Sequence, residues 1–490
     1  MASKDYTPAS QVLLVAFSAQ GHINPMLRLG KRLASKGLHV TLATTEIVRH
    51  RMFKSPTTTT HSISGIQLLF FSDGFTLDYD RKTNLDHYMD TLGMVGPVNL
   101  SNLINDHYHN LHKKLSCIIS NPFVPWVVDV AADHGVPCAM LWIQPCSLYA
   151  IYYRFYNNLN PFTTEVTSTT LSTNDSESTI DVPGLPLLHT EDLPTFVLPS
   201  NPVSSLSRLL SDLILNLKKH KWVLANSFFE LEKEATESMD EICPIIPVGP
   251  LVPSSLLGED QDVEDGAGID LWKPEETCLD WLENQAPSSV IYVSFGSLAV
   301  LPAKLMEAIA TALKNTKHPF LWVVKKPEGS PGNGAGELPP EFEEETKGQG
   351  LVVSWCPQTK VLAHPAIGCF ITHCGWNSLL ETFSAGVPVI GYPQWSDQPT
   401  NAKLVVDVFK VGLRLRPSCD GVFTAEEVEK CLKEIMGGSK SEELKKNAVE
   451  LKRAAREAVA AGGSSDRNIQ LFVQEILGTD GTSAEGSAEP

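Results

Sequence analysis

The stretch from Trp355 to Gln398 concentrates groups able to hold a phosphorylated ligand: WCPQTKVLAHPAIGCFITHCGWNSLLETFSAGVPVIGYPQWSDQ. An apolar run, Cys369–Thr372, ends in His373-Cys374-Gly375-Trp376-Asn377-Ser378, and Leu379–Ser384 continues with helical character. A strand, a glycine turn and a helix start aim free backbone N–H groups and the positive end of the helix dipole at one point, which suits an anion such as phosphate. His373, Asn377 and Ser378 add side-chain donors. Glu381, one turn into the helix, can accept hydrogen bonds from a ribose, and Trp355 offers a flat face for a base. Asp397 and Gln398 follow the next strand, where they can hold sugar hydroxyls. Taken singly, each has a plain structural explanation, Trp355 in a core or Asp397 as a helix cap. Their joint spacing is what points to a ligand.

A second candidate is His22, in Gln20-Gly21-His22 just after the first apolar run, Val12–Phe17. That position is the carboxyl end of a strand, where ligands of open α/β sheets bind. An imidazole with an ordinary pKa of about 6.5 suits a general base at neutral pH.

The elements that must carry these groups alternate. In the first half, Val12–Phe17 reads as a strand, Pro25–Lys36 as a helix, Val40–Ala43, Ile118–Ser120 and Cys138–Trp142 as strands, and Trp126–Asp133 as a helix. In the second, Val290–Ser294, Phe320–Val324, Gly350–Val353, Cys369–Thr372 and Val389–Tyr392 read as strands and Ala303–Lys314 as a helix. This alternation predicts parallel sheets covered on both faces. Pro247–Pro287 has linker chemistry, with prolines, the acidic run Gly258–Asp265 and two glycines. The expected architecture is two doubly wound Rossmann-like α/β domains facing across a cleft, residues 1–249 and 250–467. Thr163–Ile180 and Pro327–Pro340 read as loops, Asn468–Leu477 as an amphipathic helix, and 478–490 as a disordered tail.

Composition narrows the classes. The chain has 490 residues and a formal net charge of −18, which argues against a nucleic-acid binder or an anionic membrane as partner. No apolar run reaches membrane-spanning length and no signal peptide is legible, so the cytosol is expected and the sequons at Asn99 and Asn174 are expected to be unused. The ten cysteines are scattered and read as reduced core residues; the run Cys369–Cys374 has no second ligand pair to make a zinc site. Gly332, Gly334 and Gly336 lie in a loop, and neither a dinucleotide-binding Gly-x-Gly-x-x-Gly after the first strand nor a P-loop is present. A nicotinamide oxidoreductase on a similar frame is thereby disfavoured.

The 355–398 segment closely resembles the signature box of plant family-1 UDP-glycosyltransferases. The opening Trp-x-Pro-Gln, the central His-Cys-Gly-Trp-Asn-Ser, the following Glu and the closing Asp-Gln match at the family's spacing, and the resemblance runs from Gly21-His22-Ile23-Asn24-Pro25 to Gly462-Gly463-Ser464-Ser465. It implies the glycosyltransferase-B fold, with nucleotide sugar on the C-terminal domain, acceptor on the N-terminal one, and the last helix crossing back. It implies that Trp355 stacks on uracil, Gln358 and Glu381 contact the uridine, and His373, Asn377, Ser378 and Ser297 hold the pyrophosphate. Trp376, Asp397 and Gln398 would contact the sugar, the closing Gln resembling glucose-preferring members. UDP-glucose is then a substrate, no cofactor or metal is expected, and Asp78-Tyr79-Asp80 and Asp260-Gln261-Asp262 are not expected to bind one. Helix-end donors offer a substitute for a cation's charge. A monomer is expected.

The resemblance breaks at one position. Where most members place an Asp to orient the histidine, this chain has Asn121, in Asn121-Pro122-Phe123-Val124-Pro125-Trp126. Asn fixes a tautomer but supplies no charge to an imidazolium. The pattern resembles the branch that makes glucose esters of carboxylic acids, as do Phe71-Ser72-Asp73-Gly74, Asp192-Leu193-Pro194 and Gly249-Pro250-Leu251-Val252. A carboxylic acid of pKa about 4 is already ionised at neutral pH and needs little base strength. Relatives that C-glucosylate polyphenols would need His22 as a true base, so an ester, an O-glucoside and a C-glucoside all stay open, as does an inactive UDP-sugar-binding protein. Small aromatic acceptors are expected against Leu141–Pro145, Tyr149–Tyr156, Phe123 and Phe196, although the tyrosine stripe fits a core equally well.

Overall fold

A computed structural model describes residues 10–53, 61–81, 84–163, 179–201, 204–258, 277–296, 300–325, 335–418 and 421–478. Ser297, Asn174, the Asp260–Asp262 triplet, most of the 163–180 and 327–340 stretches and the tail 479–490 lie outside these.

The first sheet has eight strands: β1 (Gln11–Val15), β2 (His39–Thr45), β3 (His61–Ile63), β4 (Ile66–Phe71), β5 (Leu115–Ser120), β6 (Cys138–Trp142), β9 (Trp222–Ala225) and β10 (Ile246–Pro247). A two-stranded ribbon, β7 (Thr179–Ile180) and β8 (Leu188–His189), lies apart from it. The second sheet has six strands: β11 (Val290–Ser294), β12 (Phe320–Val323), β13 (Gly350–Val353), β14 (Ile367–Thr372), β15 (Val389–Gly391) and β16 (Gly412–Arg414). The orders are β10-β9-β6-β5-β1-β2-β4-β3 and β13-β12-β11-β14-β15-β16, parallel throughout except for the β3–β4 edge pair.

Burial on both faces explains the continuous apolar strands. In β1, Leu13 and Val15 join a core with Tyr88, Val127 and Trp142, while Val12 and Leu14 face Ile23, Leu27 and Phe472. The second sheet is sandwiched likewise, Tyr292 and Phe370 to one side and Ile291 and Ile371 to the other. The last described helix, Ser464–Leu477, returns to the first sheet. Its Ile469, Phe472 and Val473 are buried in the same core as Val12 and Leu14 of β1. Asn468 donates to the Pro247 carbonyl (2.8 Å), Trp222 donates to Glu475 (2.7 Å), and Lys36 pairs with Asp466 (2.6 Å).

Element limits differ from the sequence pattern in instructive places. The first helix runs Gln20–Ser35, starting before the expected Pro25 and taking His22 into its first turn. Pro25 lies past the first turn, so it does remove one intrahelical bond, the one that the Gly21 carbonyl would otherwise accept. The 20-residue helix Leu85–Ile104, with Pro97, Gly93 and Gly96 inside it, was illegible as a helix. Gly96 is a packing requirement: a Cβ there would stand 2.5 Å from the Trp126 ring.

Candidate active site

Each sheet reverses its strand order at one place, between β1 and β5 in the first and between β11 and β14 in the second. Ligands of such sheets bind beyond the carboxyl ends of the strands at that point. His22 follows β1 and Asn121 follows β5, strands paired in register as Leu14 with Ile119. The two loops therefore emerge side by side, and His22 Nδ1 lies 2.7 Å from Asn121 Oδ1.

The Phe123 backbone N–H donates to the same Oδ1 at 3.3 Å, which fixes that atom as oxygen. An acceptor at Oδ1 requires His22 Nδ1 to carry the proton, leaving the Nε2 lone pair as the basic site. The imidazole sits against Phe17 and Phe123, ring centroids 5.1 and 4.5 Å away. Burial pulls its pKa down to about 4, against the opposing pull of the Asn121 bond. It is thus neutral at pH 7, with a modest proton affinity.

The opposite lobe supplies donors. Strand β14 runs into Cys374 in the left-handed region (φ 63°), then Gly375, which opens the helix Trp376–Ala385 with no side-chain cap. The first-turn amides of that helix therefore have no intrahelical acceptor and no side-chain cap. His373 lies wedged between two glycines: a Cβ on Gly296 would meet its ring at 2.9 Å and one on Gly375 at 2.4 Å. Burial lowers its pKa to about 4. Gln358, at the start of the helix Gln358–Ala363, donates to Ser378 Oγ (3.1 Å) and Glu381 (2.9 Å) and accepts from Tyr292 OH (3.2 Å). Trp355, half-buried, follows β13.

Asn377 bridges the lobes. Its Nδ2 donates to the Gly21 carbonyl at 2.8 Å. In an α-helix that carbonyl would receive the N–H four residues on, but that residue is Pro25, which has none. The proline thus frees an acceptor beside His22 for the opposite lobe.

Asp397 is buried, accepts from Asn401 Nδ2 (2.8 Å) and from the Trp376 backbone N–H, and its carboxyl is pushed up to about 6 by burial. Gln398 Oε1 accepts the N–H groups of Gln394 (2.9 Å) and Trp395 (3.2 Å), which leaves its NH2 to donate outward. Trp376 opens the helix 376–385. Its indole is not in the cleft: it is 3% exposed, packs on Phe383 and Phe409, and donates to the Asn226 carbonyl (2.8 Å). Only its backbone remains for a ligand contact. The stripe on helix Cys146–Tyr156 is also core at Tyr149 and Tyr152, as is Trp142. A cavity of about 430 Å³ opens beside Phe123, lined by Met89, Trp126, Ser205 and Leu209 among others.

Asn226 was missed. It follows β9, its Oδ1 accepts Leu251 N–H (2.8 Å), and its Nδ2 donates to Asn377 Oδ1 (3.4 Å). The strand-end rule alone could have found it. Arg28 was missed too; its guanidinium lies 3.7 Å from Glu381 across the cleft. Among the described residues no cluster of three or more His, Cys, Asp or Glu side chains could hold a metal. Cys369 and Cys374 are fully buried thiols pushed up to about 12. No described helix is long and apolar enough to cross a membrane.

Comparison with known proteins shows the family and the fold. Residues 263–458 match the family described as UDP-glucoronosyl and UDP-glucosyl transferase. The chain is 45% identical to UDP-glycosyltransferase 84B1 of Arabidopsis thaliana over 471 residues, 95% of this chain and 98% of that one. It is 42% identical to gallate 1-beta-glucosyltransferase of Quercus robur, covering 95% of this chain and 89% of that one. The crystal structure of Os79 from O. sativa with UDP superposes with a TM-score of 0.82 at 31% identity, covering 95% of this chain and all of that one.

Proposed function

Because the chain belongs to the UDP-glycosyltransferase family, we propose that it transfers glucose from UDP-glucose to the carboxylate of a small plant aromatic acid, releasing UDP and a β-glucose ester. Trp355 stacks on uracil, Gln358 and Glu381 engage the uridine, and the helix start at 376–378, with His373 and Ser297, receives the diphosphate. Asp397 and the Gln398 NH2 bind glucose hydroxyls. The acceptor oxygen attacks the anomeric carbon from the face opposite UDP, the C1–O bond to the diphosphate breaks with its electron pair leaving on UDP, and α becomes β. Fixed amides meet the developing charge on the leaving group, in the place of a cation.

The observation that carries the choice of acceptor is the 2.7 Å bond from His22 to a neutral amide. A phenol of pKa about 10 needs a strong base, whereas a carboxylic acid of pKa about 4 arrives ionised. His22 with Asn121 orients an anion well and extracts a proton poorly. The gallate-glucosylating relative supports the same acceptor class. Both lobes of the site come from one chain, so a monomer suffices for the reaction.

Product analysis tests this. Gallate and UDP-glucose should give stoichiometric UDP and a glucoside split by mild alkali. A product that resists alkali but yields to acid would make the enzyme an O-glucosyltransferase of phenols. One that survives both would make it a C-glucosyltransferase, and UDP-glucose binding without turnover on any acid or phenol would make it a binding protein.

A further inference from the structure

The segment between β8 and the helix Ser204–Leu215 belongs by sequence to the first lobe, yet part of it is bound to the second. Asp192 is 2% exposed; its Oδ1 lies 2.6 Å from Arg414 Nη1 and its Oδ2 lies 3.6 Å from Lys403 Nζ. Thr400 Oγ1 donates to its carbonyl at 2.7 Å. Three residues on, Thr195 N–H donates to the Ser396 carbonyl (2.9 Å), and Ser396 N–H donates back to Thr195 Oγ1 (2.9 Å). Phe196 then meets Trp395 edge to face at 6.0 Å. Ser396 has φ 63°, a left-handed conformation that a non-glycine residue holds only when its surroundings fix it.

Those surroundings are the strap 192–196, and the next residues along are Asp397 and Gln398. A buried ion pair with one partner removed is strongly destabilised, so Asp192 fixes where the strap sits. The Thr195–Ser396 exchange fixes the loop. Resting on the sugar-binding role proposed above for Asp397 and Gln398, we infer that Asp192 and Thr195 are positioning residues for the donor sugar. They hold loop 394–398 in shape from the acceptor lobe, so discrimination between donor sugars depends on residues outside the donor domain.

The test separates sugar from nucleotide. Thr195→Val keeps the shape and the backbone donor but strands the Ser396 N–H; Thr195→Ser restores the acceptor. For Thr195→Val, kcat/KM for UDP-glucose should fall about tenfold, as expected for one buried donor left unpaired. The UDP-glucose to UDP-galactose ratio should narrow, while the Kd of UDP by calorimetry stays within about twofold of the parent, because UDP lacks the sugar that the loop binds. Thr195→Ser should return to parental values, and Asp192→Asn, where it folds, should follow Thr195→Val. Equal losses for UDP and UDP-glucose, an unmoved donor ratio, or no recovery in Thr195→Ser would overturn the inference. A parent protein that binds no UDP at all would instead overturn the family-based function.

Discussion

Replacing Asn121 by Asp should convert an orienting histidine into a stronger base. The site is prepared for it. Asn121 is fully buried, its Oδ1 already accepts from His22 and from the Phe123 N–H, and its Nδ2 has no hydrogen-bond partner among the described residues. An Asp would therefore lose no bond while placing a negative charge against the imidazole. At an effective dielectric of about 20 and roughly 4 Å between charge centres, attraction to the imidazolium is about 4 kcal/mol. Desolvation of the new carboxylate offsets part of it, and a neighbouring opposite charge typically moves a pKa by about 1–3 units. The His22 pKa should rise from about 4 into a range of about 5–7. The assay is UDP release against pH with two acceptors, a simple phenol and an aromatic acid lacking phenolic hydroxyls. With the phenol, the acid limb of kcat/KM should move up by that amount and the plateau should rise on the order of tenfold, since general-base catalysis follows base strength. With the acid, the plateau should stay level or fall, because the new charge repels an ionised acceptor. An unmoved acid limb, or equal responses from the two acceptors, would refute this account of Asn121.

His22→Ala should lower phenol transfer by about 100-fold or more while leaving the calorimetric Kd of UDP unchanged; retained phenol turnover would remove His22 as the base. Gly375→Ala drives a methyl to 2.4 Å from His373 Nε2, so the ring must move, and UDP affinity should fall by about tenfold, the loss of about one hydrogen bond; an unaltered Kd would mean His373 does not touch the diphosphate. Acid should weaken the fold. His22, His220 and His373 have folded-state pKa values lowered to about 4, below the ordinary value of about 6.5, so between these limits the unfolded chain binds more protons and stability falls as pH falls. The slope is at most about 1.4 kcal/mol per pH unit per histidine. Asp397, raised to about 6, acts in the opposite sense below that pH and cancels roughly one histidine's share. Urea midpoints at pH 7 and pH 5 check the sign; an equal or higher midpoint at pH 5 would contradict it.

The groups proposed to hold the nucleotide could be gathered from the sequence because they come from one continuous segment. Strand, glycine turn and helix start are local features, and backbone geometry alone aims the amides at 376–378. The position of His22 could be anticipated for a related reason, since the end of the first strand of such a sheet opens toward the cleft whatever surrounds it. Tertiary packing decided what side-chain chemistry leaves open. The Trp376 indole lies in the core, because a large aromatic at the start of a buried helix gains more from apolar burial than from a polar cleft, and any sugar contact at this residue falls to its backbone. The tyrosine stripe had the same spacing as pocket or core, and only the sheet packed against it chose core. The bridges Asn377–Gly21, Arg28–Glu381 and Thr195–Ser396 join residues about 200 to 360 positions apart. No local pattern encodes such pairs: each exists because two separately folded sheets bring their strand ends face to face across the same gap.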